Sequence, residues 1–231
     1  MAADLGEITF PAGGEDWIEY GPPGERRRVG FHDYAALYAV PGLYERVFYE
    51  ELGMCSVEVV VGLYAEALRG LGREGAGERV FDLGAGSGIG GELLRREVGV
   101  GTVVGLDLEP AARAAAERDW PGVYEEYLIE DLAAAPGTFE TLAAHDFTAL
   151  VAVSAIGAGH IPLELLAETI HRLLRPGGLF AFAVAEELVP HFFDELFARV
   201  DAERLGRRDY AHRRQTDGSP HRASAVVARL R

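Results

Sequence analysis

The stretch that decides the fold reads Val80-Phe81-Asp82-Leu83-Gly84-Ala85-Gly86-Ser87-Gly88, a β-rich run that ends in an acid and enters a glycine-rich loop. Glycines at alternate positions let the backbone turn tightly after a strand and come close to a bound ligand. The overlapping string Gly86-x-Gly88-x-x-Gly91 also matches the dinucleotide fingerprint. This stretch therefore predicts a strand and a ligand loop, and by itself it permits several nucleotide ligands.

Short β-rich runs and helical patterns alternate on both sides of this loop. The predicted strands are Arg79 to Leu83, Thr102 to Leu108, Glu126 to Ile129, Phe147 to Ser154 and Gly178 to Val184. The predicted helices lie near residues 88–97, 110–118, 137–144, 162–174 and 189–200. Such alternation predicts an α/β, doubly wound, mostly parallel sheet with a ligand crevice at the carboxyl ends of its strands.

The two ends of the chain depart from this alternation. Residues 1–30, rich in Gly, Pro and charge, predict an arm with little regular structure, and residues 31–75 predict a helical cap of two or three helices. Ser56 is the expected N-cap of the last of these helices. At the other end, Arg207 to Arg214 and Arg222 to Arg229 flank an Asp-Gly turn, which predicts an antiparallel hairpin. Residues 76–231 would form the core, and the length of 231 residues suits one structural domain overall.

Charge and cysteine content narrow the function classes. A formal net charge of −15 would repel phosphate backbones, so we expect no nucleic-acid partner. Cys55 is the single cysteine and cannot form an internal disulfide, and no uncharged apolar run approaches the ~20 residues of a membrane helix. We therefore expect a cytoplasmic protein without a membrane partner.

Acids stand at the ends of three successive predicted strands. Asp82 precedes the glycines, where a carboxylate suits an ammonium group and would be poorly placed beside a pyrophosphate. Asp107 follows Gly88 by 19 residues, where a carboxylate can bind both hydroxyls of a ribose, a feature that NAD-binding proteins share. Asp131 could accept a hydrogen bond from an adenine amino group. The series favours a nucleoside that carries an ammonium group.

Together with Arg175-Pro176-Gly177-Gly178 before the fifth strand, these motifs resemble the class I S-adenosylmethionine-dependent methyltransferases, over roughly Arg79 to Arg231. The resemblance implies a Rossmann-like sheet of seven strands, in which the last hairpin places one antiparallel strand. It also implies S-adenosylmethionine as cofactor and S-adenosylhomocysteine as product. From the residues themselves we expect no metal.

The resemblance also assigns roles to individual residues. Asp82 and the backbone of Gly84, Gly86 and Gly88 would hold the methionine moiety, with the Ser154 region completing its pocket. Asp107 would bind the ribose. The residues expected around the adenine are Leu108, Asp131 and the Leu132 amide.

An N-terminal helical segment often closes over the cofactor in such enzymes. Here Tyr34-Ala35-Ala36-Leu37-Tyr38 is similar to its tyrosine pattern, which makes Tyr38 a further cofactor-binding candidate, although Ala39 stands where an Asp is common. The tyrosines could equally pack the helices onto the sheet.

His160 is the catalytic candidate. It lies in the segment Ser154 to Pro162, a Gly-rich loop after the fourth strand, and a histidine there could deprotonate a hydroxyl or amine. This segment is also similar, more weakly, to methyltransferase-like proteins of the Williams-Beuren type. The alternative is that His160 packs against the following helix. The seven histidines are scattered, and no metal-ligand spacing is present.

These observations predict transfer of a methyl group from S-adenosylmethionine to O, N or C of a small-molecule acceptor by in-line displacement. The expected assembly is a monomer or homodimer. Three alternatives stay open: a methyltransferase fold that catalyses a cyclisation or elimination, a nicotinamide or flavin oxidoreductase, and a non-enzymatic binding module.

Overall fold

Nine strands and eight α-helices make up the part of the chain that the computed structural model describes, namely residues 4–11, 16–157 and 160–231. The strands are β1 (Trp17–Tyr20), β2 (Arg27–Gly30), β3 (Arg79–Leu83), β4 (Thr102–Asp107), β5 (Glu126–Ile129), β6 (Ala149–Ala152), β7 (Leu179–Ala185), β8 (Ala202–Arg214) and β9 (Pro220–Leu230). The α-helices are α1 (Tyr34–Ala39), α2 (Leu43–Glu45), α3 (Ser56–Gly70), α4 (Ile89–Leu93), α5 (Pro110–Asp119), α6 (Thr138–Ala143), α7 (Leu163–Leu173) and α8 (Val189–Arg199). Helices α2 and α4 continue as π-helical turns over Arg46–Glu51 and Leu94–Val98.

Seven of these strands form the central sheet, in the order β5-β4-β3-β6-β7-β9-β8. Strands β3 to β7 are parallel, with Phe81 of β3 opposite Val104 of β4 and Leu150 of β6. Strand β9 runs antiparallel to both of its neighbours, β7 and β8. The expected mostly parallel seven-stranded sheet with one antiparallel strand is therefore confirmed.

The fourth parallel strand is shorter than the sequence pattern predicts. We expected it over Phe147 to Ser154, but β6 covers only Ala149–Ala152. Asp146 and Ser154 on either side have φ angles of 53° and 55°. Backbone in this left-handed region cannot continue a strand, so the chain turns just outside both ends of β6.

Helices cover both faces of the sheet, as a doubly wound fold requires. On one face, Phe81, Leu150 and Phe180 pack against α6, α7 and α8 through residues such as Leu166 and Leu196. On the other face, alternate residues of the same strands pack against α3 and the α4 segment. Because successive side chains of a strand point to opposite faces, the unbroken apolar runs of β6 and β7 bury both sides of the sheet.

The N-terminal segment has more regular structure than expected. Strands β1 and β2 form an antiparallel hairpin in which Ile18 pairs with Val29. Both side chains are buried in a separate small core together with Leu37 and Leu43 of the cap helices. The predicted arm therefore folds onto the cap where it is described, while residues 1–3 and 12–15 lie outside the described residues. The division of the chain at residues 30 and 75 stays a prediction.

The start of α3 differs from the expectation in one respect. Ser56 is the first residue of the helix, and Cys55 takes the N-cap position without a side-chain hydrogen bond. The Ser56 hydroxyl instead lies 2.5 Å from both the Tyr210 hydroxyl and Nδ1 of His212. Tertiary contacts to β8 thus replace the local cap that the sequence suggested.

Within the described residues, no helix combines the length and the apolar character that crossing a membrane requires.

A buried carboxylate ties the base of the sheet to its surroundings. Glu78, which is 4% exposed, precedes β3 and accepts hydrogen bonds from Tyr64 of α3, from Thr148 beside β6 and from Arg73. The Arg73 guanidinium makes a 2.6 Å ion pair with it and also donates to the Gly177 carbonyl. One buried charge therefore joins four segments of the chain.

Removing Arg73 should leave Glu78 as an uncompensated buried charge. We expect Arg73→Met to lower the free energy of unfolding by about 3 kcal/mol, as measured by urea denaturation at pH 7.5. Arg113→Met is the matched control, because the Arg113–Glu117 pair is exposed on both sides and should change stability by less than about 1 kcal/mol. Equal effects of the two substitutions would contradict the role given to Glu78.

Candidate functional site

A cleft of about 1240 Å³ opens at the carboxyl ends of the parallel strands. Its floor is formed by the residues that follow β3, β4, β5 and β6, the cap helices form its roof, and the C-terminal hairpin closes its far side. This is the edge at which open α/β sheets bind their ligands.

Ten of the eleven residues that the sequence singled out line this one cleft. They are Tyr38, Asp82, Gly84, Gly86, Asp107, Leu108, Asp131, Leu132, Ser154 and His160. The eleventh, Gly88, lies behind the cleft lining and packs on Ala116 and Tyr124. Ala158 and Gly159 of the predicted Gly-rich loop lie outside the described residues. The arrangement brings the candidates together, and their individual roles stay predictions.

Asp82 is the most deeply buried acid of the cleft, with 3% of its surface exposed. The Tyr124 hydroxyl donates a 2.8 Å hydrogen bond to its Oδ2. Burial raises the pKa of Asp82 to about 7, and although this hydrogen bond opposes the rise, the nearby charge of Asp107 adds to it. Near neutral pH, Asp82 is therefore poised to lose its proton when a cation approaches.

Tyr124 is a site residue that the sequence analysis missed. A Cβ added at Gly91 would lie 2.6 Å from its ring, one at Gly105 would lie 2.8 Å away, and one at Gly88 would lie 3.2 Å away. Three glycines thus make the space in which this ring reaches Asp82. Gly91, the last glycine of the string that matches the dinucleotide fingerprint, is thus one of the residues that give room to this tyrosine. The glycine spacing was the available signal, but it does not reveal which distant ring fills the space.

Asp107 holds the glycine loop in place. Its Oδ2 accepts a 2.8 Å hydrogen bond from the Gly86 amide, and its Oδ1 accepts one of 2.9 Å from the Glu109 amide. Burial raises the pKa of Asp107, and these backbone donors oppose that rise. The Tyr127 hydroxyl donates to the Gly86 carbonyl at 2.6 Å. Both polar groups of the Gly86 peptide are therefore bound, so the loop is preformed.

Two further predicted residues flank Asp107 at this end of the cleft. The Leu108 side chain is 65% exposed, which is unusual for a large apolar group and leaves a flat surface free. Asp131 is exposed, and its carboxylate accepts from the Ala133 amide at 2.9 Å.

Tyrosines of the cap cover the glycine loop. A Cβ at Gly86 would lie 2.8 Å from the Tyr38 hydroxyl, so this residue must be glycine for the ring to sit there. Tyr38 stacks on Tyr34 at 5.9 Å and contacts Tyr44 at 4.9 Å between ring centroids. Burial raises the pKa values of all three phenols, which therefore stay neutral. A hydrogen bond of 2.6 Å from Ser87 to Glu45 also joins the loop to the cap.

His160 faces the cap across the cleft. Its ring centroid lies 6.2 Å from that of Tyr34 and 6.3 Å from that of His32, a second histidine that the sequence analysis did not select. Burial lowers the pKa of His160, and the neighbouring His32 lowers it further. A neutral imidazole at the cleft surface can accept a proton. Among the described residues, no group of three His, Cys, Asp or Glu side chains could hold a metal ion.

Residues 80–178 match a methyltransferase domain family. An uncharacterized methyltransferase of Synechocystis sp. is 34% identical over 110 residues, which cover 46% of this chain and 46% of that relative. The chain therefore aligns with about half the length of this relative.

Solved structures share the fold at low sequence identity. An S-adenosylmethionine-dependent methyltransferase from Anabaena variabilis superposes with a TM-score of 0.57 and 17% identity, over 76% of this chain and 86% of that one. Another from Mesorhizobium loti gives a TM-score of 0.51 and 19% identity, over 71% and 96% of the two chains.

The buried charge of Asp82 has a measurable cost in stability. A carboxyl whose pKa is about 7 when folded and near its ordinary 3.8 when unfolded makes the folded state gain stability as the pH falls from about 7 toward 4. Asp82→Asn removes the charge and keeps an acceptor for Tyr124. We expect this variant to be more stable than wild type by about 1–2 kcal/mol at pH 8, with a smaller difference at pH 5, by urea denaturation at both pH values.

Asp131→Asn provides the control for this substitution, because it removes one charge from an exposed carboxylate and should change the free energy of unfolding by less than about 0.5 kcal/mol. A constant difference between Asp82→Asn and wild type from pH 5 to 8 would show that the pKa of Asp82 is not raised.

Proposed function

We propose that this chain, whose residues 80–178 match a methyltransferase domain family, is a class I S-adenosylmethionine-dependent methyltransferase that transfers a methyl group from S-adenosylmethionine to O, N or C of a small-molecule acceptor. The observation that carries the proposal is the set of acids at the ends of β3, β4 and β5, which meet in one cleft beneath a tyrosine-rich cap. The alternating glycines between the first two acids leave the backbone accessible to the same ligand.

The chemistry of the cofactor end suits this nucleoside. Within the described residues no Lys, Arg or His lies within 4 Å of Asp82, so the ammonium of a methionine moiety would supply the missing countercharge. Asp107 would accept from the ribose hydroxyls, and the exposed Leu108 would cover one face of the adenine. When bound there, S-adenosylmethionine would supply a methyl group activated by its sulfonium.

The protein's own contribution at the acceptor end is positioning and proton removal. The neutral rings of Tyr34, Tyr38 and Tyr44, of which Tyr38 is buried and the other two are partly buried, would exclude water from the roof of the cleft. His160 would take the proton of an acceptor hydroxyl or amine at its ring nitrogen, because its lowered pKa keeps it neutral at pH 7. An acceptor without such a proton would need only the positioning.

A small acceptor is favoured by the cap that covers the glycine loop and by the charge of the chain. The cap closes over the loop, and the net charge of −15 opposes binding of phosphate backbones. The proposal accordingly includes no nucleic-acid or membrane partner, a monomer or homodimer, and a cytoplasmic location that suits the single Cys55.

Two of the alternative functions can be weighed against this structure. A cyclisation or elimination on the same fold would use the same cofactor end, and product mass separates it from methyl transfer. The oxidoreductase does not account for Asp82, because a carboxylate at this strand end would be poorly placed beside a pyrophosphate.

Cofactor binding is tested by calorimetric titration of the protein with S-adenosylhomocysteine. We expect micromolar affinity for wild type and a loss of about 10–100-fold for Asp107→Ala, because a partly buried carboxylate that accepts from hydroxyls is lost. Glu117→Ala, an exposed acid on α5, is the control and should bind as wild type does. Failure of wild type to bind would refute the proposed function.

The role of His160 is tested by the pH dependence of turnover at saturating cofactor. A base must be neutral, so kcat should hold to pH values below the ordinary 6.5 of histidine and then fall as His160 is protonated. We expect His160→Ala to lower kcat by about 10²-fold, to lose this acidic limb and to keep its affinity for S-adenosylhomocysteine. Normal turnover of the variant would remove His160 from the mechanism.

A further inference from the structure

The far side of the cleft is formed by an irregularity in the C-terminal hairpin. Ala211 of β8 pairs with Arg222 of β9 and Arg213 pairs with His221, so that His212 is an extra residue in β8. In a regular strand, adjacent residues point to opposite faces, and only one of His212 and Arg213 could face the cleft. Both line it, as does His221. The β-bulge therefore turns two consecutive side chains toward the same space.

Backbone and side-chain contacts from the cap hold this bulge. The Cys55 amide donates to the His212 carbonyl at 3.1 Å, and the Arg214 amide donates to the Leu52 carbonyl at 2.7 Å. Ser56 lies 2.5 Å from Nδ1 of His212. Because the peptide groups on both sides of Arg213 are hydrogen bonded to the segment before α3, the orientation of Arg213 is set by the fold.

Arg213 carries a charge that the described part of the chain does not pair. It is partly buried, and its one hydrogen bond is from Nη1 to the Arg214 carbonyl at 3.1 Å. Most other arginines of this hairpin form ion pairs, for example Arg207, Arg208 and Arg229. No described carboxylate lies within 4 Å of Arg213. In a chain of net charge −15, an arginine left without such a partner inside a cleft is unusual.

The groups around Arg213 are mostly neutral. Its charge acts on the phenols of Tyr34 and Tyr44, which keep their protons because they are buried. Burial, together with His221 and Arg213, lowers the pKa of His212 to about 4, so His212 is also uncharged at neutral pH.

Two acids face the same region of the cleft. Asp16 is exposed and lies beyond ion-pair distance from Arg213, although its charge partly offsets the effect of burial on the arginine. Glu187 lies 3.7 Å from His221. Arg213 is therefore the one fixed cation that the described residues present to this end of the cleft.

The two ends of the cleft therefore carry charges of opposite sign. Asp82, Asp107 and Asp131 stand at the cofactor end, and Arg213 stands across the cleft among aromatic rings. We propose that Arg213 is the anchor for an oxyanion on the methyl acceptor, which would be a small aromatic or other apolar molecule bearing one carboxylate or phosphate group. The proposal rests on the proposed function, since it takes this space as the acceptor end. Guanidinium groups bind such oxyanions through two parallel hydrogen bonds.

The test measures the preference for an anion by calorimetric titration, in low salt, of protein loaded with S-adenosylhomocysteine. The probes are benzoate, its neutral isostere benzamide, and phenyl phosphate. Wild type should bind benzoate or phenyl phosphate at least tenfold more tightly than benzamide, and the tighter of the two identifies the oxyanion. Arg213→Gln should reduce this preference to about unity.

Arg214→Gln is the matched control, because this exposed neighbour donates to the Glu51 carbonyl and is not part of the cleft lining. It should keep the preference of wild type. If Arg213→Gln does not fold, Arg213→Lys keeps the charge without the planar fork and should retain a weaker preference.

Equal binding of the anionic and neutral probes by wild type, absence of anion binding, or a preference that persists in Arg213→Gln would overturn the proposal. Titration with S-adenosylhomocysteine alone separates it from the proposed function. Cofactor binding without anion preference removes only the Arg213 site, whereas failure to bind the cofactor removes the methyltransferase assignment.

Discussion

Two carboxylates, the buried Asp82 and the partly buried Asp107, lie at the ends of neighbouring parallel strands, and the rest of the cleft is arranged around them. Burial of a charge is costly unless polar partners compensate it. Asp107 has two backbone amides as partners, whereas Asp82 has one phenol and feels the charge of Asp107 besides. The sheet thus stores unfavourable electrostatic free energy at the point where a cationic ligand would relieve it.

The packing of aromatic rings around these strand ends explains why glycine is needed at several separated positions. Gly88, Gly91 and Gly105 leave room for the ring of Tyr124, whose hydroxyl is the partner of Asp82. Gly86 leaves room for Tyr38 of the cap. These glycines therefore allow aromatic rings to pack between the strands, the α4 segment and the cap. A methyl group at any of them would displace an aromatic ring.

The sequence was sufficient for the sheet and for placing acids at neighbouring strand ends, because both follow local rules. Apolar runs, strand-end acids and the Asp-Gly turn identify elements without knowledge of their partners. Tyr124 and Arg213 could not be found in this way. Tyr124 reaches Asp82 through space left by glycines up to 36 residues away in the chain. Arg213 faces the cleft because of a β-bulge that the residue pattern of β8 does not predict.

The central claim is that Asp82 is partly protonated in the free protein and becomes ionised when a ligand ammonium binds. Proton release on binding of S-adenosylhomocysteine tests it most directly, through calorimetry in buffers of different ionisation enthalpy from pH 6 to 8. The account predicts proton release that increases as the pH falls from 8 toward 6, because more of the free Asp82 is then protonated, and that is absent in Asp82→Asn. A binding enthalpy that does not depend on the buffer would contradict it.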